Sequence, residues 1–158
     1  MSGFIAGGLA PSESVPGTHI NSNPFWPSID LDKLRQTLRI DSSVTPARLE
    51  TAVINAAISV NRELSTWRIN QQAAGFTRLS EVPAELVEGE SVQIHLYHRA
   101  IEAGVGAEVC ERYRSYDSTN TGNRKAEELA PNIDDYHRDQ RWAIRDFLRT
   151  KRTTVELI

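Results

Sequence analysis

The chain has 158 residues, 39% of them hydrophobic and 25% charged, and carries a formal net charge of −3. That length fits one domain able to bury roughly two-thirds of its unfolded surface, with the composition of an ordinary soluble globular protein. The negative charge speaks against a protein whose main task is gripping nucleic acid, because such domains are strongly basic. The single cysteine, Cys110, excludes an internal disulfide and a cysteine-rich zinc site.

No apolar run approaches the ~20 residues of a membrane span. Residues 1–9 are apolar but short, and the first Lys or Arg is Lys33. That makes a poor signal peptide, and the expected product is intracellular and free of any membrane. There are no internal repeats and no low-complexity tracts.

Residues 1–28 hold four of the nine glycines and four of the seven prolines. Such a segment cannot run as a helix and shows no alternation for a strand, so it reads as an extended N-terminal arm outside the core. Its end, Pro24-Phe25-Trp26-Pro27, sets two large aromatics in a proline-stiffened stretch. They either tack the arm onto the chain's own bundle or anchor it on a neighbouring chain.

Asp30 is placed to cap a short helix in which Leu31, Leu34 and Leu38 share a face and acid precedes base. Thr45 and Pro46 then open a long alanine-rich helix to Gln72, with Val44 and Leu49 spaced as a hydrophobic staple. Leu49, Val53, Ala56, Val60, Leu64 and Trp67 recur every three or four residues, and Ile54, Ala57 and Ile58 widen the stripe. A helix so broadly apolar is expected to be the central post of a bundle, touched on more than one side. Gly75 ends it, with Phe76 folding back on the last turn.

The connector from Phe76 to Ser91 carries Glu81, Glu85, Glu88 and Glu90 and is expected to hold one helical turn from Pro83 to Val87. Nothing near these carboxylates would split their pKa values or form a calcium loop, so they read as a solvated acidic surface. A third helix, Ser91 to about Tyr116, aligns Ile94, Tyr97, Ile101, Val105, Val109 and Tyr113. Gly104 and Gly106 inside it each cost roughly 1 kcal/mol against alanine. They predict a tight crossing with Ala52, Ala56 and Ala57.

Asp117 to Asn123 is a polar loop, followed by a weak helical piece stopped or kinked at Pro131. The last helix turns Ile133, Tyr136, Gln140, Ala143, Ile144 and Phe147 inward. Its other faces carry Arg138, Arg141, Arg145 and Arg149, with Trp142 among them. Lys151 and Arg152 lead into a β-prone tail, Thr153-Thr154-Val155-Glu156-Leu157-Ile158. The expected fold is all-α: an antiparallel bundle of about four helices over residues 29–150, between an arm at 1–28 and a short extended tail at 151–158.

Catalytic chemistry is missing. There is no dinucleotide or nucleotide cradle. Cys110 lies beside an apolar face and reads as a small core residue. His95 and His98 are three apart on a helix but lack the partner ligands of a metal site. No cofactor is expected. What remains points outward: aromatic arm, acidic connector, arginine face and unpaired tail. Unlike patches of opposite sign on one protomer make a heterologous contact that can close a ring. Exposed Trp and Arg suit interface hot spots, and a lone strand suits addition to another protein's sheet.

The stretches NPFWPSIDLDKLR, VTPARLETAVINAA, NREL, AAGFTRLSEVPAELVEGES, Arg99-Ala100, ERYRSYD and RDQRWAI occur in order from Asn23 to Ile144. In these the chain resembles the head-completion protein L family of tailed bacteriophages. The resemblance implies an α-helical head–tail adaptor, not an enzyme, located in the virion neck and made in the host cytoplasm. It further implies a dodecameric ring of copies beneath the portal ring, a surface for tail-side neck or terminator proteins, and packaged double-stranded DNA passing through.

On that reading Phe25, Trp26, Glu81, Glu85, Glu88, Arg138, Arg141, Trp142 and Arg145 are candidates for contacts with other copies or partners. Thr153, Thr154, Val155, Glu156, Leu157 and Ile158 are candidates for binding the portal, and Arg149, Lys151 and Arg152 for lining the DNA channel. Two other classes are a small helical DNA-binding regulator using the Arg138 to Arg152 face and a metalloprotein built on His95 and His98.

Overall fold

The computed structural model describes residues 18–114 and 120–150, with side chains over 18–112 and 133–150. Strand β1 (His19–Ile20) pairs antiparallel with β2 (Ile29–Asp30), His19 opposite Asp30 and Ile20 opposite Ile29. Five helices follow: α1 (Leu31–Thr37), α2 (Pro46–Glu63), α3 (Ser65–Ala73), α4 (Val92–Arg114) and α5 (Asn120–Phe147). Between α3 and α4 lie a 3₁₀ turn (Leu79–Glu81) and a second hairpin, β3 (Leu86–Val87) against β4 (Glu90–Ser91). The fold is a helical bundle, but the two small sheets mean that it is not strictly all-α.

Local chemistry fixes the helix ends. The Asp30 carboxylate accepts from the backbone N–H of Asp32 at 2.9 Å and Lys33 at 3.0 Å, capping α1. Arg35 donates to the carbonyls of Asp41 and Val44, which sets the turn into α2. Thr45 caps α2 and Pro46 is its first residue, as their chemistry predicts.

The helix expected to run unbroken to Gln72 is divided at Leu64. There the Ser65 hydroxyl donates to the Arg62 carbonyl at 2.7 Å, a side-chain bond that competes with the backbone ladder and bends helices. After α3, Gly75 takes φ +101°, and the bonds Gly75 N–H to Gln72 O and Phe76 N–H to Gln71 O close a Schellman cap. The turn expected at Pro83 to Val87 is instead the β3–β4 hairpin. Glu88 and Gly89 both have positive φ, 52° and 75°, as a two-residue type I′ loop requires.

The central helix is α4, not α2. Ile94, Tyr97, Ile101 and Val105 are buried along one side of it, and Ala100, Ala103 and Ala107 along another. In α2, by contrast, Ile54 and Ile58 face solvent, 40% and 52% exposed, so its apolar stripe is narrower than its sequence suggests. Helices α2 and α5 run antiparallel to α4 on either side. Asn61, Ala56 and Asn55 of α2 meet Tyr97, Gly104 and Glu108 in turn, and Tyr136 and Gln140 of α5 meet Gly106 and Gly104. The predicted approach of Gly104 to Ala56 is present, whereas Gly106 accommodates the Tyr136 ring rather than α2. The inner face of α5 is as expected, with Ile133, Ala143, Ile144 and Phe147 buried. Pro131 does not stop that helix, and Asn120 to Asn123 belong to it rather than to a loop.

One aromatic cluster joins all of this. Trp26 stacks on Tyr97 with centroids 4.8 Å apart and planes 5° apart. Phe25 packs edge-on to Trp26 and Trp67, and Phe147 edge-on to Trp26 and Trp67. The Phe25 carbonyl also accepts from Leu79 N–H at 2.9 Å. Residues 18–28 are thus built into the folded unit, whereas residues 1–17 of the expected arm lie outside the described residues.

Two stability tests follow from the packing. W26A empties the centre of the cluster and is expected to lower the unfolding free energy by about 3–5 kcal/mol, measured by chemical denaturation. A Cβ at Gly106 would sit 2.6 Å from the Tyr136 ring, so G106A is expected to destabilise by about 1 kcal/mol net of its gain in helix propensity. At Gly104 an added Cβ would meet the movable end of Gln140 and also the Ala56 Cβ at 3.1 Å, which is fixed to the α2 backbone, so G104A should also destabilise, but by less than G106A, in the same assay.

Candidate functional site

The sequence-predicted interface residues divide sharply. Phe25 and Trp26 are 1% and 5% exposed within this chain's own core, so they are unavailable to a neighbour, and the first of the two readings of the aromatic pair holds. Glu81 is spent locally. Its carboxylate accepts from the Thr77 N–H, the Thr77 hydroxyl and the Arg78 N–H, and the Thr77 amide leads in holding its pKa below the usual carboxylate value. Glu85 and Glu88 are exposed.

On α5, Arg138 pairs with Asp135 at 2.8 Å and Asp139 at 3.7 Å, and its guanidinium lies 4.9 Å over the Trp142 ring. Arg141 is exposed and Arg145 half-buried on α5, and Arg149 is exposed just past the end of the helix at Phe147. The arginine face is therefore a partly neutralised surface with an aromatic in it. Such a surface suits a protein partner better than bare phosphate. Lys151, Arg152 and Thr153 to Ile158 lie outside the described residues.

Sequence reasoning missed one set of residues. Leu86 and Val87, 63% and 51% exposed, project from the β3–β4 hairpin. Ile54 and Ile58, one turn apart on α2, and Ile69 of α3 (56% exposed) also face solvent. The signal in the sequence was the run Leu86 to Glu90, two apolar residues before a Glu-Gly loop, weaker than the Asn-Gly or Asp-Gly that marks most such hairpins.

Two recesses flank the central helix. A groove of about 270 Å³ between α2 and α4 is lined by Val44, Ala47, Arg48, Thr51, Ala52, Val109 and Arg112. A polar recess under α1 involves Asp30, Lys33, Glu90, His95, His98, Arg99 and Glu102. In it both ring nitrogens of His95 are engaged, Nε2 with the Val87 carbonyl at 2.9 Å and Nδ1 with Glu90 at 3.3 Å. Burial holds the His98 imidazole below its ordinary pKa, opposed by Glu90 and by a hydrogen bond to the Ser28 backbone. Burial also raises the Glu102 carboxyl and the Cys110 thiol. Among the described residues no three His, Cys, Asp or Glu side chains converge as metal ligands would, and no helix is long and apolar enough to cross a membrane.

The charged and aromatic side chains of α5 and the β3–β4 hairpin face outward from the bundle, and comparison with known proteins shows the family. A family model described as phage head completion protein (GPL) matches residues 6–158. The chain belongs to that family. A head completion/stabilization protein of Escherichia phage P2 is 40% identical over 125 residues, 79% of this chain and 74% of the relative. No solved structure gives a significant match. Membership makes the protein a structural component of the virion that acts in completing the phage head.

The buried histidine gives a pH test of the folded unit. The unfolded chain binds a proton at His98 more readily than the folded one, so stability falls as pH drops below the ordinary histidine value of about 6.5. H98Q is expected to flatten that part of the stability–pH curve, read as denaturation midpoints from pH 7 down to 5.

Proposed function

We propose that this protein is a head–tail adaptor. After DNA packaging its copies assemble as a ring beneath the portal, extend the DNA channel, help retain the packaged DNA and present the surface that tail-side proteins bind. The family match over residues 6–158 carries this reading. The geometry supports it, because a bundle fixed by an aromatic centre holds outward surfaces at constant spacing without needing to change shape.

In this scheme the arginine face of Arg138, Arg141, Trp142 and Arg145 meets a protein partner, and Glu85 and Glu88 contribute to contacts between copies. Residues Thr153 to Ile158 reach the portal and add a strand or fill a pocket there. Arg149, Lys151 and Arg152 face the DNA. A conduit that gripped phosphates strongly would gain salt-dependent affinity and hinder sliding, so three basic residues per copy suit retention rather than binding.

Phage lacking this product should yield DNA-filled or leaking heads separate from finished tails in electron micrographs. Removing residues 153–158 should abolish pull-down by purified portal rings while leaving helical content by circular dichroism unchanged; undiminished pull-down would refute the portal role of the tail. Reversing the charge at Arg149, Lys151 and Arg152 should lower DNA retention in heads more than it lowers attachment of the protein to them.

A further inference from the structure

The chain leaves α5 beside a recess that no site above uses. Leu148 and Arg149 form part of its wall, with Trp67 and Gln71 of α3, Val82, and Gln93 of α4. Its volume is about 270 Å³, below the ~300–1,000 Å³ of small-molecule pockets. Among the described residues, Arg149 is the only charged one lining it. Gln93 is 8% exposed, and its Oε1 is buried without a hydrogen-bond partner. A buried carboxamide left unpaired is costly. Extended main chain is its natural partner, because one carboxamide can accept from an N–H and donate to a C=O. Gln71 adds a second carboxamide to the same wall. The exit of the chain is fixed as well. Thr150 N–H donates to the Arg145 carbonyl at 2.9 Å and Arg149 N–H to the Asp146 carbonyl at 3.1 Å, a Schellman turn with Arg149 at φ 56°. The turn sends the next residues across the end of α5 instead of onward along its axis.

We propose that this recess seats the chain's own segment Thr153-Thr154-Val155 in extended form, with the Gln93 carboxamide bonded to its backbone and the Val155 side chain against the apolar wall. The occupant follows from where the described residues stop, at Thr150 on the rim, and from charge. Lys151 and Arg152 belong in solvent, because the recess offers no carboxylate among its lining residues and already holds Arg149. Two residues span up to about 7 Å, enough to carry the chain over the rim. The next three are uncharged and β-prone, which matches two carboxamides set between apolar walls. This seat goes beyond the adaptor reading and does not depend on it. In a free subunit it covers a segment that would otherwise invite pairing with other chains. A portal that takes residues 153–158 would draw them out of it.

Thiol modification of the purified full chain tests the seat, with P83C as reporter in a Cys110→Ser background. Pro83 is an exposed residue in the wall of the recess. The full chain should react several-fold more slowly than the chain lacking residues 153–158. V155D, which lies outside the described bundle, should react as fast as the truncated chain. Q93L should also react that fast, with helical content by circular dichroism unchanged; if Q93L unfolds, V155D decides alone. Equal rates with and without residues 153–158 would overturn the proposal, and so would a V155D chain as protected as its parent. A folded and fully protected Q93L chain would overturn the role of Gln93. Protection that grows with protein concentration would assign the recess to the tail of a second copy and overturn the seat within one chain.

Discussion

The rest of the structure depends on the stacking of Trp26 on Tyr97. Tyr97 belongs to the central helix and Trp26 to the loop between β1 and β2, so one ring contact fixes the N-terminal hairpin on the bundle. Trp67 and Phe147 then bring α3 and α5 to the same place. The Tyr97 hydroxyl is satisfied by Asn61 of α2 at 3.0 Å, and burial pushes its pKa up to about 12. The phenol thus stays neutral at any physiological pH and can serve as a permanent strut between helices. With one cysteine and no disulfide, this cluster supplies the anchoring that a covalent cross-link would otherwise give a small virion protein.

Around that anchor, small residues decide which helix lies in the middle. Gly104 admits Gln140 on one side and Ala56 on another, and Gly106 admits the Tyr136 ring. Helix α4 can therefore be approached closely from two directions. Helix α2 carries a longer apolar pattern but only one contact face. The polar links that span the bundle, Asn55 to Glu108 and His137 to Glu111, lie at its exposed margins and set register more than they add stability.

Much of this was legible in the residues. Thr45-Pro46, Asp30 and Gly75 end or begin helices because capping is a local matter, and all three behave as their side chains predict. The inner face of α5 was legible for the same reason, since a period of 3.6 survives any tertiary context. What could not be read depends on partners distant in sequence. Ile54 and Ile58 extend the apolar stripe of α2, but whether anything covers them is decided by where α4 and α5 settle. Ser65 looks like an ordinary helical residue until its hydroxyl takes the Arg62 carbonyl and breaks the helix. Phe25 and Trp26 fit an outward anchor as well as an inward one, and only the position of Tyr97 separates the two. The β3–β4 hairpin was hidden because a Glu-Gly loop is a weak signal and its strands are two residues each. The family was legible where short, specific blocks recur, but which of its surfaces meet which partners was not.

The length of α4 has a consequence for assembly. The Leu86–Val87 hairpin abuts its first turn, and the groove between Arg48 and Arg112 lies near its last. At 1.5 Å per residue these sites stand about 30 Å apart on a single rigid rod. No small ligand can occupy both, so each can be filled without obstructing the other. A chain built this way can be gripped at two heights, and the distance between them is set by one helix.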